Sequence, residues 1–201
     1  MLYTQTENGR KETDAMALLM RLAEQLLPCS TDFLVLGMLY LFVLRPRWKQ
    51  RGADISLCGF LMFSYICCVL YLTLMPFLIS IPSWNPAAYV PMNMEPFVDV
   101  KLHRGDYLRQ IALNTAMLMP FGFLYPMMKP KRGFFETVFC GFLFSLMIEL
   151  LQPLPDIGRR SDVTDLITNT AGTAAGYIVY LFFRPVTKFI LTKINKERDF
   201  S

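Results

Sequence analysis

Three acids stand next to apolar stretches in the second half of the sequence, where their chemistry is of most interest. Glu149 lies near the end of the apolar segment 134–152, and Asp162 and Asp165 lie at the start of the next one, 163–183. Neighbouring carboxyl groups can act as general acid and base, or they can bind the polar head of a ligand. These three acids are therefore our candidates for catalysis.

Further polar residues lie in the same part of their predicted spans as these acids, and Gln152 and Asn169 share a helical face with them. Side chains three, four or seven positions apart share one face of a helix, and polar groups in hydrocarbon are costly unless they point inward. We therefore expect these residues to meet inside the protein. The ligand-binding residues predicted from this pattern are Arg109, Asn114, Glu149, Gln152, Arg160, Asp162, Asp165 and Asn169.

Some of these residues also have a purely structural interpretation. Asn114 and Asn169 can bond from helix to helix without a ligand, and Asp162 can cap the helix that follows it. For the acids and arginines we favour a site, because an ionisable residue inside a membrane is a functional candidate by default. His103 is the single histidine, and the five cysteines form no C-x-x-C pair, so we expect no metal site and no cofactor.

The chain that carries these residues is strongly apolar. It is 54% hydrophobic and 18% charged, against roughly 25% charged for an average soluble domain. The stretches 55–81, 110–128 and 166–183 contain no charged residue, and an apolar stretch of about 18 residues or more predicts a transmembrane helix. The sequence therefore predicts an all-α, polytopic membrane helix bundle. The modest net charge of +4 does not suggest nucleic acid as a partner.

We expect about five transmembrane helices, preceded by an amphipathic helix at 14–27. Pro120 and Gly122 predict a bend in the third span. Gly172 and Gly176 in the fifth form a small-xxx-small pattern, which lets another helix approach closely. The predicted spans are 29–44, 55–79, 107–128, 134–152 and 163–183.

Short basic segments predict the orientation of the bundle. Lys and Arg in 45–51, 129–132 and 184–198 make up 12 of the 20 basic residues. With five spans, these segments share one side, which the positive-inside rule makes cytoplasmic. The N-terminus and the loops 82–106 and 153–162 then lie outside, and the C-terminus lies in the cytoplasm. The polar residues accordingly cluster near the outer leaflet.

Four blocks of the sequence, in the same order, resemble the VanZ-like family over about residues 60–184. The blocks are NMEPF at 93–97, NTAMLMPFGFL at 114–124, IELLQ at 148–152 and RSDVTDLITNTAG at 160–172. The resemblance adds Asn93 to the ligand-binding set. It also suggests a division into a polar N-terminus with the amphipathic helix (1–28), a first span with its basic loop (29–59), the family domain (60–184) and a basic tail (185–201).

The resemblance implies a protein at the outer face of a bacterial cell membrane. The founding member of the family is associated with low-level resistance to teicoplanin, a lipoglycopeptide. We therefore expect binding of an amphiphile, which is a membrane lipid, a lipid-linked cell-wall precursor or a lipoglycopeptide. In this interpretation Arg109 and Arg160 hold a phosphate by paired hydrogen bonds.

The alternative is an intramembrane enzyme that modifies a lipid, with Glu149, Asp162 and Asp165 sharing protons. No nucleophile motif accompanies these acids, so we favour binding over catalysis. A transporter has less support, because the sequence contains no evident internal repeat.

Overall fold

The computed structural model describes residues 26–84, 89–129, 132–154 and 160–198, together with Met16, Met20 and Glu24. The predicted amphipathic helix at 14–27 falls almost entirely outside these residues. The described chain is a helical bundle, as predicted. Its elements are α1 (Ser30–Leu39), a π-helical turn (Tyr40–Leu44), α2 (Arg45–Lys49), α3 (Ala53–Thr73), a 3₁₀ helix (Leu78–Ser83), α4 (Val98–Lys101), α5 (Tyr107–Met128), α6 (Phe134–Leu151) and α7 (Val163–Arg198).

Four helical segments in the described chain are long and apolar enough to cross a membrane. They are Ala53–Pro82, Tyr107–Met128, Phe134–Leu151 and Val163–Lys196. Large apolar side chains are exposed on these helices, among them Phe135, 85% exposed, and Phe182, 79% exposed. A helix that is apolar on its outer face as well as its inner face is suited to a lipid environment. The prediction of a multi-pass membrane protein is confirmed.

The first predicted span, 29–44, is made of α1 and the π-helical turn, which continue directly into α2. This helical run packs antiparallel against α3. The rings of Phe33 and Tyr71 are 5.9 Å apart, and those of Tyr40 and Phe63 are 4.9 Å apart. The run therefore follows α3 along much of its length. The count of five spans stays a prediction, and this hairpin supports it.

Helices α5 and α7 are parallel and form the most extensive contact of the bundle. Gly172 of α7 lies against the backbone of Thr115, and Gly176 lies against the backbone of Met119, one turn further along both helices. A Cβ atom at either glycine would collide with a carbonyl oxygen of α5. The small-xxx-small face is therefore the surface on which the two backbones meet.

Helix α6 is antiparallel to α5 and α7, which places the end of α6 beside the beginnings of the other two. Phe144 of α6 stacks on Phe121 of α5 at 5.6 Å. Helix α3 is also antiparallel to α5, and the Tyr65 hydroxyl donates to the carbonyl of Met117 at 2.7 Å. That carbonyl lies in the turn before Pro120, whose ring removes one helical N–H donor.

Helix α7 is longer than the apolar pattern predicts, because it continues from the expected end near residue 183 to Arg198. Pro185 interrupts one backbone hydrogen bond but does not end the helix. Near its end, the Asn195 side-chain oxygen accepts the backbone N–H groups of Ala53 and Asp54 at 3.1 and 3.2 Å. The tail of α7 thereby caps α3, a long-range contact that helical periodicity does not predict.

The buried acid of the first predicted span has a comparable capping role. Helix α3 ends at Thr73, shortly before Pro76. The Asp32 carboxylate, 5% exposed, accepts the backbone N–H groups of Phe77 and Leu78 at 2.9 and 3.0 Å. These bonds satisfy donors at the start of the 3₁₀ helix and compensate for the burial of the charge.

Candidate functional site

The predicted polar residues gather where α6 finishes and α7 begins, a region called the polar end below. Asp162 caps α7 there, because its carboxylate accepts the N–H of Thr164 at 2.7 Å. Its own N–H donates to the Glu149 carboxylate at 3.1 Å. The capping interpretation of Asp162 therefore holds, and the same residue connects α7 to the acid of α6.

Asn93 fastens the preceding loop to the polar end. Its side-chain amide donates to the Asp162 carboxylate at 3.0 Å. The Asn93 N–H donates to the carbonyl of Ser161, and the Val163 N–H donates to the carbonyl of Asn93, both at 3.0 Å. This short parallel bridge involves the first residue of the NMEPF block and the start of α7.

The last residue of the NMEPF block makes a second attachment to α7. The Phe97 N–H donates to the hydroxyl of Thr164 at 2.9 Å, and Phe97 takes the left-handed backbone conformation, with φ 58°. A residue other than glycine rarely adopts this backbone conformation, so the contacts around Phe97 must stabilise it. The block therefore fixes the loop that borders the site.

Glu149 is the most deeply buried acid of the polar end, with 2% of its surface exposed. The Ser161 hydroxyl donates to the Glu149 backbone carbonyl, which holds the end of α6 against the segment before α7. The Glu149 charge lies close enough to Asp162 and Asp165 for mutual repulsion. Burial of such a charge is costly without a positively charged or hydrogen-bonding partner.

A cavity of about 820 Å³ opens between α3, α5, α6 and α7. Pockets of roughly 300–1,000 Å³ accommodate drug-sized ligands. The three residues expected to share one space, Asn114, Glu149 and Asn169, all line this cavity. Its other polar or charged lining includes Gln152, Arg160 and Asp165, and its apolar lining includes Val69, Leu72, Leu113, Met117, Pro120 and Ile148.

The polarity of the cavity changes with depth in the bundle. Glu149 and Arg160 lie at the polar end. Pro120 lies ten residues beyond Gln110 on α5, which is roughly 15 Å along the helix at 1.5 Å per residue. Leu72 and Leu113 in the lining are 59% and 57% exposed. The cavity therefore opens sideways between α3 and α5, onto the apolar surface of the bundle.

Two buried amide atoms of the cavity are unsatisfied by any residue that the structure describes. Asn169 is 1% exposed, and its side-chain nitrogen donates to the Ser145 hydroxyl at 2.9 Å. Its side-chain oxygen has no partner, and neither has the side-chain nitrogen of Asn114. A buried polar atom without a partner costs about 1–3 kcal/mol. The bond to Ser145 confirms a helix-bridging role for Asn169, and the free oxygen remains available to a ligand.

Arg109 is not brought together with the other predicted residues. It is exposed, stands 3.8 Å from Asp106 and does not line the cavity. Gln110, the next residue, points towards α7 instead, and its side-chain nitrogen donates to the Asp165 carboxylate at 3.4 Å. Consecutive helical residues point about 100° apart, so position 110 of α5 faces α7 and position 109 does not.

Glu149 forms no ion pair with an arginine among the described residues. Arg160 lines the cavity, but it is exposed and has no acid within ion-pair distance in the described ranges. The backbone N–H of Asp162 is instead the group that bonds to the Glu149 carboxylate. Arg160 therefore remains available at the edge of the cavity.

Three residues near the site were missed in the sequence. Gln110, Ser145 and Thr164 each bond to a residue of the predicted set or of the NMEPF block. Ser145 precedes Glu149 by four positions, so helical spacing could have found it. Gln110 and Thr164 lie in α5 and α7, and the rotation of these helices within the bundle is set by the neighbouring helices, which the sequence pattern does not show.

The arrangement is suited to holding a molecule with a polar end and an apolar end. Acids, amides and one arginine line the polar end together with aliphatic side chains, and Met117 and Pro120 line the deeper part of the cavity. Within the described ranges, no group of three His, Cys, Asp or Glu side chains is placed to hold a metal ion.

Comparison with known proteins finds a family model and a curated relative that match this chain. The model of the VanZ/LLP1 family matches residues 60–184, a segment that contains α5, α6 and every predicted site residue. Protein VanZ of Enterococcus faecium is 32% identical over 89 residues, which are 44% of this chain and 52% of that protein. The chain thus spans about half the length of this curated relative. No solved structure matches the chain.

Proposed function

The chain belongs to the VanZ/LLP1 family, and on that premise we propose that it binds an amphiphile in the outer leaflet of a bacterial membrane. The proposed binding site is the cavity between α3, α5, α6 and α7. The polar head of the ligand occupies the polar end, and its apolar chain follows the wall towards Pro120 and leaves between α3 and α5.

The amphipathic lining of the cavity is the observation that carries this proposal. At one end, the side-chain nitrogen of Asn114 and the side-chain oxygen of Asn169 are buried and have no hydrogen-bond partner among the described residues. The sides contain leucines that are exposed on the apolar surface of the bundle, at positions 72 and 113. An alkyl chain can pack against these leucines as membrane lipid does, through van der Waals contact and not through removal of water.

A membrane lipid, a lipid-linked cell-wall precursor and a lipoglycopeptide all have the required shape. We propose that this binding contributes to the low-level teicoplanin resistance that the family resemblance implies. Resistance would follow if the protein retains such a molecule, or the precursor that the antibiotic recognises, at the membrane surface. A comparison of labelled teicoplanin bound to cells with and without the protein tests this link.

Filling the cavity tests the binding proposal itself. Ala116 lines the cavity from an exposed position on α5, so Ala116→Trp should occupy it without disturbing the core. Leu143→Trp is the matched control, because Leu143 is 45% exposed on α6 and does not line the cavity. Native mass spectrometry of the purified proteins should find a co-purifying amphiphile on wild type and control, and little on Ala116→Trp.

Equal amounts of bound amphiphile on both tryptophan variants would contradict this site. Folding of each variant is checked by its thermal transition in detergent, which should match wild type. Bound amphiphile must be compared between the two tryptophan variants because lipids also bind weakly over the whole apolar surface of membrane helices.

Catalysis on a lipid is the second candidate, and the burial of Glu149 beside two further acids supports it. A carboxyl group 2% exposed on the wall of a cavity is placed to exchange a proton with a bound molecule. Glu149→Gln keeps the shape of the side chain and removes the exchangeable acid. If this variant keeps full resistance and its lipid products are unchanged, Glu149 is not a general acid or base in the reaction.

A further inference from the structure

We infer that the ligand's head group carries a protonated primary amine, which binds between Glu149 and Asp165. This inference rests on the proposed function and specifies the class of amphiphile. The predicted pair of arginines would favour a phosphate as the main charged group of the ligand. Arg109 lies outside the cavity, so that pair is not formed.

The first argument is the balance of charge inside the cavity. Glu149 and Asp165 both line it, and their charges lie close enough to repel each other. Among the described residues, neither acid forms an ion pair. Two carboxylates in a poorly solvated space are costly, and a cation between them relieves both the desolvation and the repulsion.

The second argument is the kind of hydrogen bond that the cavity can offer. The Asn169 side-chain oxygen is a buried acceptor without a partner in the described chain, on a residue that lines the same cavity and is 1% exposed. Together with the carboxylate oxygens of Glu149 and Asp165, it favours a group with several N–H donors. A primary ammonium has three such donors, whereas a quaternary ammonium has the same charge and none.

The third argument concerns the edge of the cavity. Arg160 lines it from the segment before α7 and is exposed. A guanidinium group binds phosphate well by paired hydrogen bonds. A zwitterionic head group with an amine at one end and a phosphate next to it would therefore meet the acids and Arg160 together. Phosphatidylethanolamine is a probe with this chemistry.

Three lipids with equal acyl chains separate these requirements. The purified full-length chain is mixed in detergent with phosphatidylethanolamine, phosphatidylcholine or phosphatidylglycerol, and bound lipid is measured by native mass spectrometry. We expect phosphatidylethanolamine to bind at least about tenfold more tightly than phosphatidylcholine, a difference of about 1.4 kcal/mol. Phosphatidylglycerol, which has no amine, should bind least.

Variants assign this preference to the acids. Glu149→Gln and Asp165→Asn should each reduce the preference for phosphatidylethanolamine over phosphatidylcholine towards one. Glu95→Gln is the control, since Glu95 is exposed, pairs with Lys101 and lies outside the cavity. Glu95→Gln should keep the wild-type preference, and all three variants should retain the wild-type thermal transition.

The possible outcomes separate this inference from the function on which it rests. Equal binding of all three lipids, lost on Ala116→Trp, would overturn the amine inference and leave the proposed function intact. Binding that Ala116→Trp does not reduce would overturn the proposed function. A preference for phosphatidylethanolamine that persists in both acid variants would also overturn the inference, because the acids would not be its source.

Discussion

At the scale of single residues, the site depends on which of two neighbouring side chains on α5 faces α7. Arg109 and Gln110 are consecutive on α5, yet Arg109 pairs with Asp106 at the surface while Gln110 bonds to Asp165. Arg160, from the segment before α7, is the described arginine that lines the cavity. The two arginines that the sequence treats as equivalent should therefore behave differently.

We predict that Arg160→Ala weakens binding of a phosphate-bearing amphiphile about 10- to 150-fold, whereas Arg109→Ala changes it less than about twofold. A hydrogen bond to a charged group contributes about 1.5–3 kcal/mol when it is well formed, and an exposed ion pair contributes about 1 kcal/mol or less. Titration of each purified variant with fluorescent phosphatidylethanolamine measures the difference. Equal losses for the two variants would contradict the placement of Arg160 at the cavity.

At the scale of elements, the glycines of α7 determine how closely it approaches α5. Gly172 and Gly176 leave no room for a side chain, because the carbonyl groups of Thr115 and Met119 occupy the space. Gly122 of α5 makes the reciprocal contact with Thr173. Close backbone approach stabilises helix pairs in lipid through van der Waals packing, where no hydrophobic force draws the helices together.

We predict that Gly176→Ala destabilises the protein by about 2 kcal/mol, because the added methyl group forces α5 and α7 apart. The control is Gly37→Ala in α1, where a Cβ atom meets nothing within 4 Å. That change should be neutral or stabilise by up to about 1 kcal/mol, since alanine favours a helix interior more than glycine. The thermal transition in detergent should fall in Gly176→Ala and should not fall in Gly37→Ala, and an equal fall in both variants would argue against the tight α5–α7 contact.

The tail of α7 is a second element whose role depends on a distant partner. Asn195→Ala should leave the N–H groups of Ala53 and Asp54 without their acceptor, at a cost of about 1 kcal/mol. We expect faster hydrogen exchange in the peptide that covers residues 52–57. Lys196→Ala alters an exposed neighbour and should leave that exchange unchanged. Unaltered exchange in Asn195→Ala would show that the cap does not stabilise α3.

At the scale of the whole molecule, the helix directions agree with an arrangement in which successive spans cross in alternate directions. The parallel pair α5–α7 and the antiparallel α6 place all the acids of the site at one end. Which side of the membrane this end faces remains a prediction from the basic loops.

We predict that the polar end faces outward. After replacement of the native cysteines, Met94→Cys should react with an impermeant maleimide in intact cells, and Gln50→Cys should react only after lysis. Both positions are exposed, and they lie in loops assigned to opposite sides. The reverse pattern of labelling would invert the orientation and place the proposed binding site in the inner leaflet.

The sequence by itself determined the helical membrane architecture and much of the candidate site. The span predicted at 107–128 agrees with α5, and the start of α7 at Val163 also agrees. Both follow from local rules, since apolar length and helical spacing need no knowledge of the neighbours. The topology predicted from the apolar spans and basic loops places Asn114, Glu149 and Asn169 in the same part of the bundle, and they line one cavity.

Only the tertiary structure decided which partner each polar group finds. Asp32 reaches Phe77 and Leu78, and Asn195 reaches Ala53 across more than a hundred residues of sequence. The bond between Gln110 and Asp165 was likewise not evident from the sequence. Periodicity fixes side chains relative to their own helix, but the rotation of that helix in the bundle is set by its neighbours. In lipid, close packing and paired polar groups set that rotation, because an apolar surface does not distinguish lipid from protein.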